Sequence, residues 1–587
     1  MNVIGISGLH NSVPFKKRAH PNLDPGAYRI CQGFDAAAAI VTPEGVGAAA
    51  SEERFSREKA TGSFPIQAIR YCLDRTGVGL PEVDWIAHGF DYEPYRDYYL
   101  ENELAADQFN AVFSRGAQLS CIEEHLGGDW DERFVQVPHH MAHAASAYYP
   151  SGMDEALIVV ADGMGEQEGL TVATGQGGDI QILKQVPSIH SLGILYSVFT
   201  IYLGFVFNMD EYKVMGLAPY GDPRRYLDQV MGLIELQPDG THTIPLLFKN
   251  DTIEEKETYG GSIEKLTEMF GPPRAPGADM IQRDKDLAAS LQVALQNALL
   301  HLFRTFRKET GLRTLCMAGG VALNCTANGV IKRSRLFKDT FIQPAAGDDG
   351  SALGAALYIR QQREPTIKNE KMALPLWGPD FTEAEIALSI EQEPKVEAAH
   401  FDSSDELFAH VAGRLADGQI VGWFQGRMEF GPRALGCRSI LADPRAEDMR
   451  DRINAMIKKR ESFRPFAPAV ASEDAHTFFE VDDGDESLFA YMLCVAQVRE
   501  AFRDQLPSIT HVDGSARVQT VSREENPRFW ELLKAFEGES GMPILLNTSF
   551  NVKGQPIVCT PKEAMDTFLF AGLDVLVIGD FVVTPTE

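Results

Sequence analysis

A three-strand meander is written twice into this chain. In the first copy, residues 3–7 read as a buried strand closing in Gly8, and the pattern resumes at Asp35-Ala36-Ala37-Ala38-Ala39-Ile40-Val41. It turns at Pro43-Glu44-Gly45 and returns through residues 46–51. The second copy runs through residues 156–162 and 169–174, then crosses a Gly-rich turn to 180–186. Helical stretches separate the copies, so the pattern predicts a duplicated α/β lobe. The copies share little sequence, and the signal lies in their topology.

Around this frame the chain offers room for two large domains. Of 587 residues, 44% are apolar and 9% aromatic, ample for real cores. A polar insertion at 10–31 interrupts the first meander and carries Lys16, Lys17, Arg18 and His20. Residues 65–76 read as an amphipathic helix, 211–221 as a loop in which Lys213 is a candidate anion contact, and 222–275 as turn-rich. The apolar spacing of Leu287, Leu291, Leu295, Leu299 and Leu302 predicts a long helix from 284 to about 308. A Pro-, Glu- and Lys-rich connecting region at 363–402 separates a first domain, 1–362, from a second, 403–587.

The formal charge is −29, with 54 Lys plus Arg against 83 Asp plus Glu. Such a chain repels phosphate backbones, so no nucleic-acid partner is expected, whereas a few buried cations can still capture small anions. Eight scattered cysteines without a CxxC pair fit a reduced, cytoplasmic protein. No apolar run approaches the roughly 20 residues of a membrane span, so no membrane partner is expected either. A homodimer is compatible with this reading.

Residues 137–150 read as a helix that stacks His139 and His143 one turn apart. Two such imidazoles alone are more often satisfied polar groups than ligands. Asp162 at the tip of a buried strand and the later Asp348 turn the balance toward a metal. Two strand-to-helix turns follow, one with Gly319, Gly320, Val321 and Asn324, the other with Gly347-Asp348-Asp349-Gly350. Glycines there let backbone N–H groups approach an anion, which points to a nucleotide. In the second domain Arg433 lies in Gly431-Pro432-Arg433-Ala434-Leu435-Gly436, while Lys458 and Arg464 precede a Pro-fixed strand. Arg517 and the run Leu546-Asn547-Thr548-Ser549-Phe550-Asn551 complete the set, which suits a multiply charged small ligand.

Six motifs in one order carry a resemblance over nearly the full chain. They are Ser51-Glu52-Glu53-Arg54-Phe55-Ser56-Arg57, His139-His140-Met141-Ala142-His143, Met317-Ala318-Gly319-Gly320-Val321, the Gly431–Gly436 run, Phe463-Arg464-Pro465-Phe466-Ala467-Pro468 and the Leu546–Asn551 run. Together they resemble the O-carbamoyltransferase family of nodulation, cephamycin and aminoglycoside tailoring enzymes. The resemblance implies an α/β protein: an N-terminal Kae1-like domain of the actin-like ATPase superfamily and a C-terminal YrdC-like domain. It implies that carbamoyl phosphate and ATP, with Mg(II), give a carbamoyl-adenylate in the second domain. The first domain then passes the carbamoyl group to a hydroxyl of a small-molecule natural product, as in antibiotic biosynthesis.

By matching position, His139, His143, Asp162 and Asp348 are similar to the family's metal ligands, with Fe(II) first and Mn(II) or Zn(II) as alternatives. Gly319, Gly320, Val321 and Asn324 would line the nucleotide. Arg433, Lys458, Arg464, Arg517, Asn547 and Ser549 would take carbamoyl phosphate and the adenylate. Many members carry a His directly before the Asp that matches Asp35, as base for the acceptor hydroxyl. Here that residue is Phe34, so Asp35, His10 or His20 is the replacement base, or acceptor transfer is lost. Three other readings compete: a tRNA threonylcarbamoyl-type transferase, which the charge opposes; a metallopeptidase, which lacks the Glu of HExxH; and a nucleotide-binding protein without transfer.

Overall fold

The computed structural model describes residues 1–365, 371–458, 461, 463–464, 466–482 and 484–586, without the side chains of Lys458, Glu486 and Ser487. The chain divides into two compact units. The first comprises Met1–Glu53 and Ala60–Met372, the second Arg54–Lys59 and Ala373–Glu587.

Among the described residues, the first unit contains two five-stranded sheets. One is built from β1 (Val3–Ile6), β2 (Ala37–Thr42), β3 (Gly45–Ser51), β4 (Trp85–His88) and β5 (Phe134–Gln136). The other uses β6 (Glu155–Ala161), β7 (Glu168–Gln176), β8 (Asp179–Pro187), β9 (Thr314–Ala318) and β10 (Asp339–Ile342). Their orders are β3-β2-β1-β4-β5 and β8-β7-β6-β9-β10, the same path through both. In each, the meander strands pair antiparallel and the remaining two join the first strand in parallel. The expected duplicated lobe is present, and its central strands β1, β2 and β6 are almost fully buried, as unbroken Ala, Val and Ile runs require.

The helices of this unit are placed by the same repeat. Inside the insertion, α1 (Ser12–Ala19) is tied down by Lys16, whose Nζ donates to Ile30 O at 2.6 Å and lies 2.8 Å from Glu257 Oε2. The last strand of each repeat leads into a helix, α2 (His139–Tyr148) after β5 and α4 (Asp348–Arg363) after β10, with α3 (Gln282–Thr310) lying between in sequence. The small residues of α4 permit backbone-close packing on both sides. A Cβ on Gly354 would come 1.7 Å from Ala142 O of α2, and one on Gly5 of β1 would come 1.8 Å from Ala352 O of α4.

Two local expectations are corrected. Residues 211–217 form a helix, Glu211–Leu217, instead of a loop, because Val214 and Leu217 bury completely and packing overrides the Gly and Pro signals nearby. Lys213 on that helix pairs with Asp210 at 2.9 Å, so its charge is answered within the protein instead of facing an open turn. The turn-rich stretch also contains helices Leu227–Met231, Ile253–Thr258 and Gly260–Phe270. No described helix is long and apolar enough to cross a membrane.

Among the described residues, the second unit holds an eight-stranded sheet. Its strands are β11 (Val396–His400), β12 (Val421–Phe424), β13 (Arg438–Ala442), β14 (Ala467–Ala471), β15 (Gln519–Val521), β16 (Ile544–Ser549), β17 (Val575–Ile578) and β18 (Phe581–Pro585). They follow the order β11-β18-β17-β12-β13-β16-β14-β15. Helices α5 (Ser404–Ala416) and α6 (Pro527–Ser540) cover one face, burying Leu407, Val411, Trp423, Phe529, Leu533 and Leu545 together.

Candidate active site

The duplicated topology brings four of the sequence-predicted ligands to one point. Asp162 is the first residue past β6, His139 and His143 lie on α2, and Asp348 opens α4. One ligand atom from each falls within 4.8 Å of all the others. His143 Nε2 is 3.1 Å from His139 Nε2, which is 3.5 Å from Asp348 Oδ1 and 3.7 Å from Asp162 Oδ2. Both histidines are fully buried.

Their surroundings fix which nitrogen faces the cluster. His139 Nδ1 is 2.9 Å from Gly89 O; a carbonyl can only accept, so Nδ1 carries a proton and Nε2 is the nitrogen turned to the cluster. Phe90 stacks on the same ring, 4.0 Å between centroids and 6° from parallel. Glu166, which the sequence reading did not single out, accepts the backbone N–H of His139 at 2.9 Å and that of Asp91 at 2.6 Å. It therefore anchors the start of α2 to the loop after β4.

The electrostatics favour one positive charge at the centre. Burial opposes a charge on His139, yet the carboxylates of Asp162 and Asp348 hold its pKa well above the ordinary value. Burial and the neighbouring His139 push His143 well below it. Burial would raise Asp162, but His139 and His143 hold its carboxyl below the usual range. A proton on His139 or a cation between the four groups satisfies this set, and two imidazoles with two carboxylates are a normal donor set for a divalent transition metal.

The Gly-Gly turn abuts this centre. β9 pairs in parallel with β6, Ala318 opposite Val160, so both strands end side by side. Gly319 has φ +89°, and a Cβ there would come 2.4 Å from Ala161 O. The Gly320 N–H donates to Asp162 Oδ1 at 2.7 Å. Val321 continues into the short turn Gly320–Leu323. Asn324 is committed locally: its Oδ1 accepts from Ala327 N at 2.9 Å and its amide exchanges hydrogen bonds with Gln292 at 3.0 Å.

The three candidate bases part company. Asp35, at φ +52°, has Glu53, Asp348 and Asp349 as its acidic neighbours; burial and these charges push its pKa up to about 8. Phe34 before it is buried under the Arg29 guanidinium, 3.8 Å from the ring centre. His10 is packed against His125, and its Nδ1 accepts from Phe64 N at 3.0 Å. His20 lies 3.9 Å from Glu257.

In the second unit, strand order does what spacing could not reveal. Ser439 lies opposite Ser549, Ala467 opposite Asn547 and Ala469 opposite Gln519. The starts of β13, β14 and β15 and the close of β16 therefore share one end of the sheet. Arg433, Arg464 and Arg517 each sit just before one of those starts, and Ser549 is the last residue of β16. Asn547 donates to Gln519 Oε1 at 2.7 Å and Ala434 O at 3.3 Å, while Gln519 Nε2 donates to Leu435 O at 2.8 Å. Arg464 lies 3.8 Å from Glu461, and Ser549 Oγ donates to Asn551 Oδ1 at 2.7 Å. Lys458 ends the helical turn Asn454–Lys458, and its side chain lies outside the described residues, as does Pro465 of the neighbouring motif.

Sequence comparison decides the family. A model described as Carbamoyltransferase N-terminus matches residues 30–357, and one described as Carbamoyltransferase C-terminus matches residues 412–585. The chain belongs to the carbamoyltransferase family. This carbamoyltransferase is 43% identical to the uncharacterized protein sll1178 of Synechocystis, over 94% of its own length and 95% of that protein. It is 41% identical to nodulation protein NolNO of Sinorhizobium fredii, over 94% of this chain and 78% of that one. To the 3'-hydroxymethylcephem-O-carbamoyltransferase of Amycolatopsis lactamdurans it is 32% identical, over 63% and 64%. Among solved structures, HypF of T. kodakarensis is similar at a TM-score of 0.30 and 17% identity, over 62% of this chain and 48% of that one, too distant to carry an argument. The protein is thus an enzyme that transfers carbamoyl groups.

Sequence reasoning missed the groups that hold these side chains in place. Gly89 offers only a carbonyl and Glu166 sits in a loop without periodicity, so neither leaves a signal. Glu429 stood next to a quoted motif: its Oε1 accepts the N–H groups of Leu435 at 2.7 Å, Cys437 at 2.7 Å and Arg438 at 3.3 Å, shaping the loop of Arg433.

Proposed function

We propose that this carbamoyltransferase makes carbamoyl-adenylate from carbamoyl phosphate and ATP and passes the carbamoyl group to a hydroxyl of a small molecule. The observation that carries this reading is the bond from the Gly320 N–H to Asp162, which seats a nucleotide-type glycine turn directly on a metal-type cluster. On this reading the repeated lobe is an actin-like, Kae1-type fold and the second unit is YrdC-like; the identical strand paths of the two sheets support the first part.

The basic sheet end would work first. Arg433, Arg464 and Arg517, with Lys458, would neutralise phosphate charge, and Ser549 would donate a hydrogen bond, while carbamoyl phosphate loses inorganic phosphate to water, leaving carbamate. A carbamate oxygen then attacks the α-phosphorus of ATP, and pyrophosphate leaves. At the other centre, Gly319, Gly320 and Val321 offer backbone close to the adenylate. A divalent metal, iron first and manganese or zinc as alternatives, would be held by His139, His143, Asp162 and Asp348 and supplies Lewis acidity toward phosphate oxygen. The acceptor oxygen forms a bond to the carbamoyl carbon, the bond to AMP breaks, and the hydroxyl proton goes to a base. Among the three candidates Asp35 fits, since it neighbours Asp348 and Asp349, whereas His10 is packed into an aromatic contact.

The name of one relative, a 3'-hydroxymethylcephem-O-carbamoyltransferase, supports a small hydroxylated acceptor. The test is pyrophosphate release from ATP. It should require carbamoyl phosphate and be lost in Arg464→Ala; release independent of carbamoyl phosphate would refute the reading.

A further inference from the structure

Six residues from the N-terminal part of the chain, Arg54–Lys59, belong to the second unit. Their contacts there are specific. Phe55 packs against a buried group of Met428, Ala434, Ile557 and Cys559. Arg57 donates to Ile557 O at 2.8 Å and Pro556 O at 3.1 Å, and lies 3.1 Å from Glu563. Arg54, itself only 5% exposed, donates from Nη2 to Gly431 O at 2.9 Å.

Gly431 opens the loop that carries Arg433. It has φ +113°, a conformation open to glycine and rarely to other residues, so its peptide can adopt more than one orientation at little cost. Pro432 follows with a fixed φ, so any swing at Gly431 passes on to Arg433. The far end of the loop is held by Glu429, which accepts the N–H groups of Leu435, Cys437 and Arg438. Gly436 there has φ +100°, and a Cβ would come 2.2 Å from Phe529. The near end is held by Arg54.

We propose that Arg54 is a positioning residue for the carbamoyl phosphate site: its guanidinium fixes the Gly431 carbonyl and thereby the reach of Arg433. The role of Arg433 rests on the function proposed above; the clamp itself does not. Arg57 makes the built-in comparison. It anchors the same segment through Pro556, Ile557 and Glu563 and has none of its stated contacts on the Arg433 loop.

Two measurements on the full-length protein test this. In hydrogen–deuterium exchange, Arg54→Met should speed exchange of amides in 431–438, and Arg57→Met should leave that peptide at the wild-type rate while speeding 556–563. In carbamoyl phosphate-dependent pyrophosphate release, Arg54→Met should raise the KM for carbamoyl phosphate about tenfold with kcat changed less than about threefold. Arg57→Met should stay within about twofold of wild type in KM. Should Arg54→Met fail to fold, Arg54→Lys keeps the charge without the planar fork and should show the same KM shift in part. Unchanged exchange at 431–438 in the Arg54 variant would overturn the clamp, as would equal KM shifts in both variants. Faster exchange in an enzyme whose wild type releases no pyrophosphate would leave the clamp standing and sink the adenylation reading.

Discussion

His143 has one ring nitrogen in the four-residue cluster, while its Nδ1 is buried with no hydrogen-bond partner among the described residues. Burial and His139 disfavour a proton on this ring, which leaves Nε2 the nitrogen that a cation between the four residues would meet. We therefore expect His143→Ala to weaken metal binding at least about 100-fold, since even outer-shell partners of metal ligands are worth roughly 10–100-fold; metal analysis after gel filtration reads this directly. Arg438 shows the opposite use of a buried cation. It is fully buried, stacks 3.6 Å above Phe424 and donates to the carbonyls of Gln425, Gly426, Cys437 and Pro379. Arg438→Met strands those acceptors, at about 1–3 kcal/mol each before relaxation. A loss of about 3–5 kcal/mol in urea unfolding is expected, and a loss under about 1 kcal/mol would show that water takes over.

Between elements, the crossing of α2 and α4 decides whether the cluster residues meet. Gly354 allows the two backbones to touch, and the helices carry His139, His143 and Asp348. Gly354→Val should cost about 3 kcal/mol or more by overpacking, and it should lower metal content although it alters no ligand; urea midpoints and metal analysis check both. The elements also show what a sequence can disclose. The meanders were legible because buried strands write unbroken apolar runs such as Ala37–Thr42, and His139 and His143 because helical spacing alone pairs them. Helix Glu211–Leu217 was hidden, since seven residues with a glycine fold only through packing against neighbours. The basic sheet end was hidden too: Arg433, Arg464 and Arg517 precede strands that only the order β13-β16-β14-β15 sets side by side, and strand order is not a local property. The bond from Arg54 to Gly431 spans 377 residues, which no local pattern records.

Across the molecule, buried titrating groups pull in opposite directions on acidification: Asp35 and Glu166, pushed up to about 8 and about 7, favour the fold as pH falls, and two buried histidines disfavour it. Burial pushes the pKa of His88 and His242 down to about 4 from an ordinary 6.5. Between those values the unfolded chain binds protons that the folded histidines refuse, so their contribution to stability falls as pH falls through this window and is constant above it. At pH 5 the loss is about 2 kcal/mol for each, and His242→Gln should remove its share from a melting profile taken between pH 7 and 5. On the proposed mechanism, two chemistries reside in two sets of residues. The most direct test is pyrophosphate release with carbamoyl phosphate and ATP in His143→Ala beside Arg464→Ala. His143→Ala should keep release within about threefold of wild type while Arg464→Ala should lose it at least about 100-fold. Equal loss in both variants would contradict it, because a single set of residues would then serve both steps.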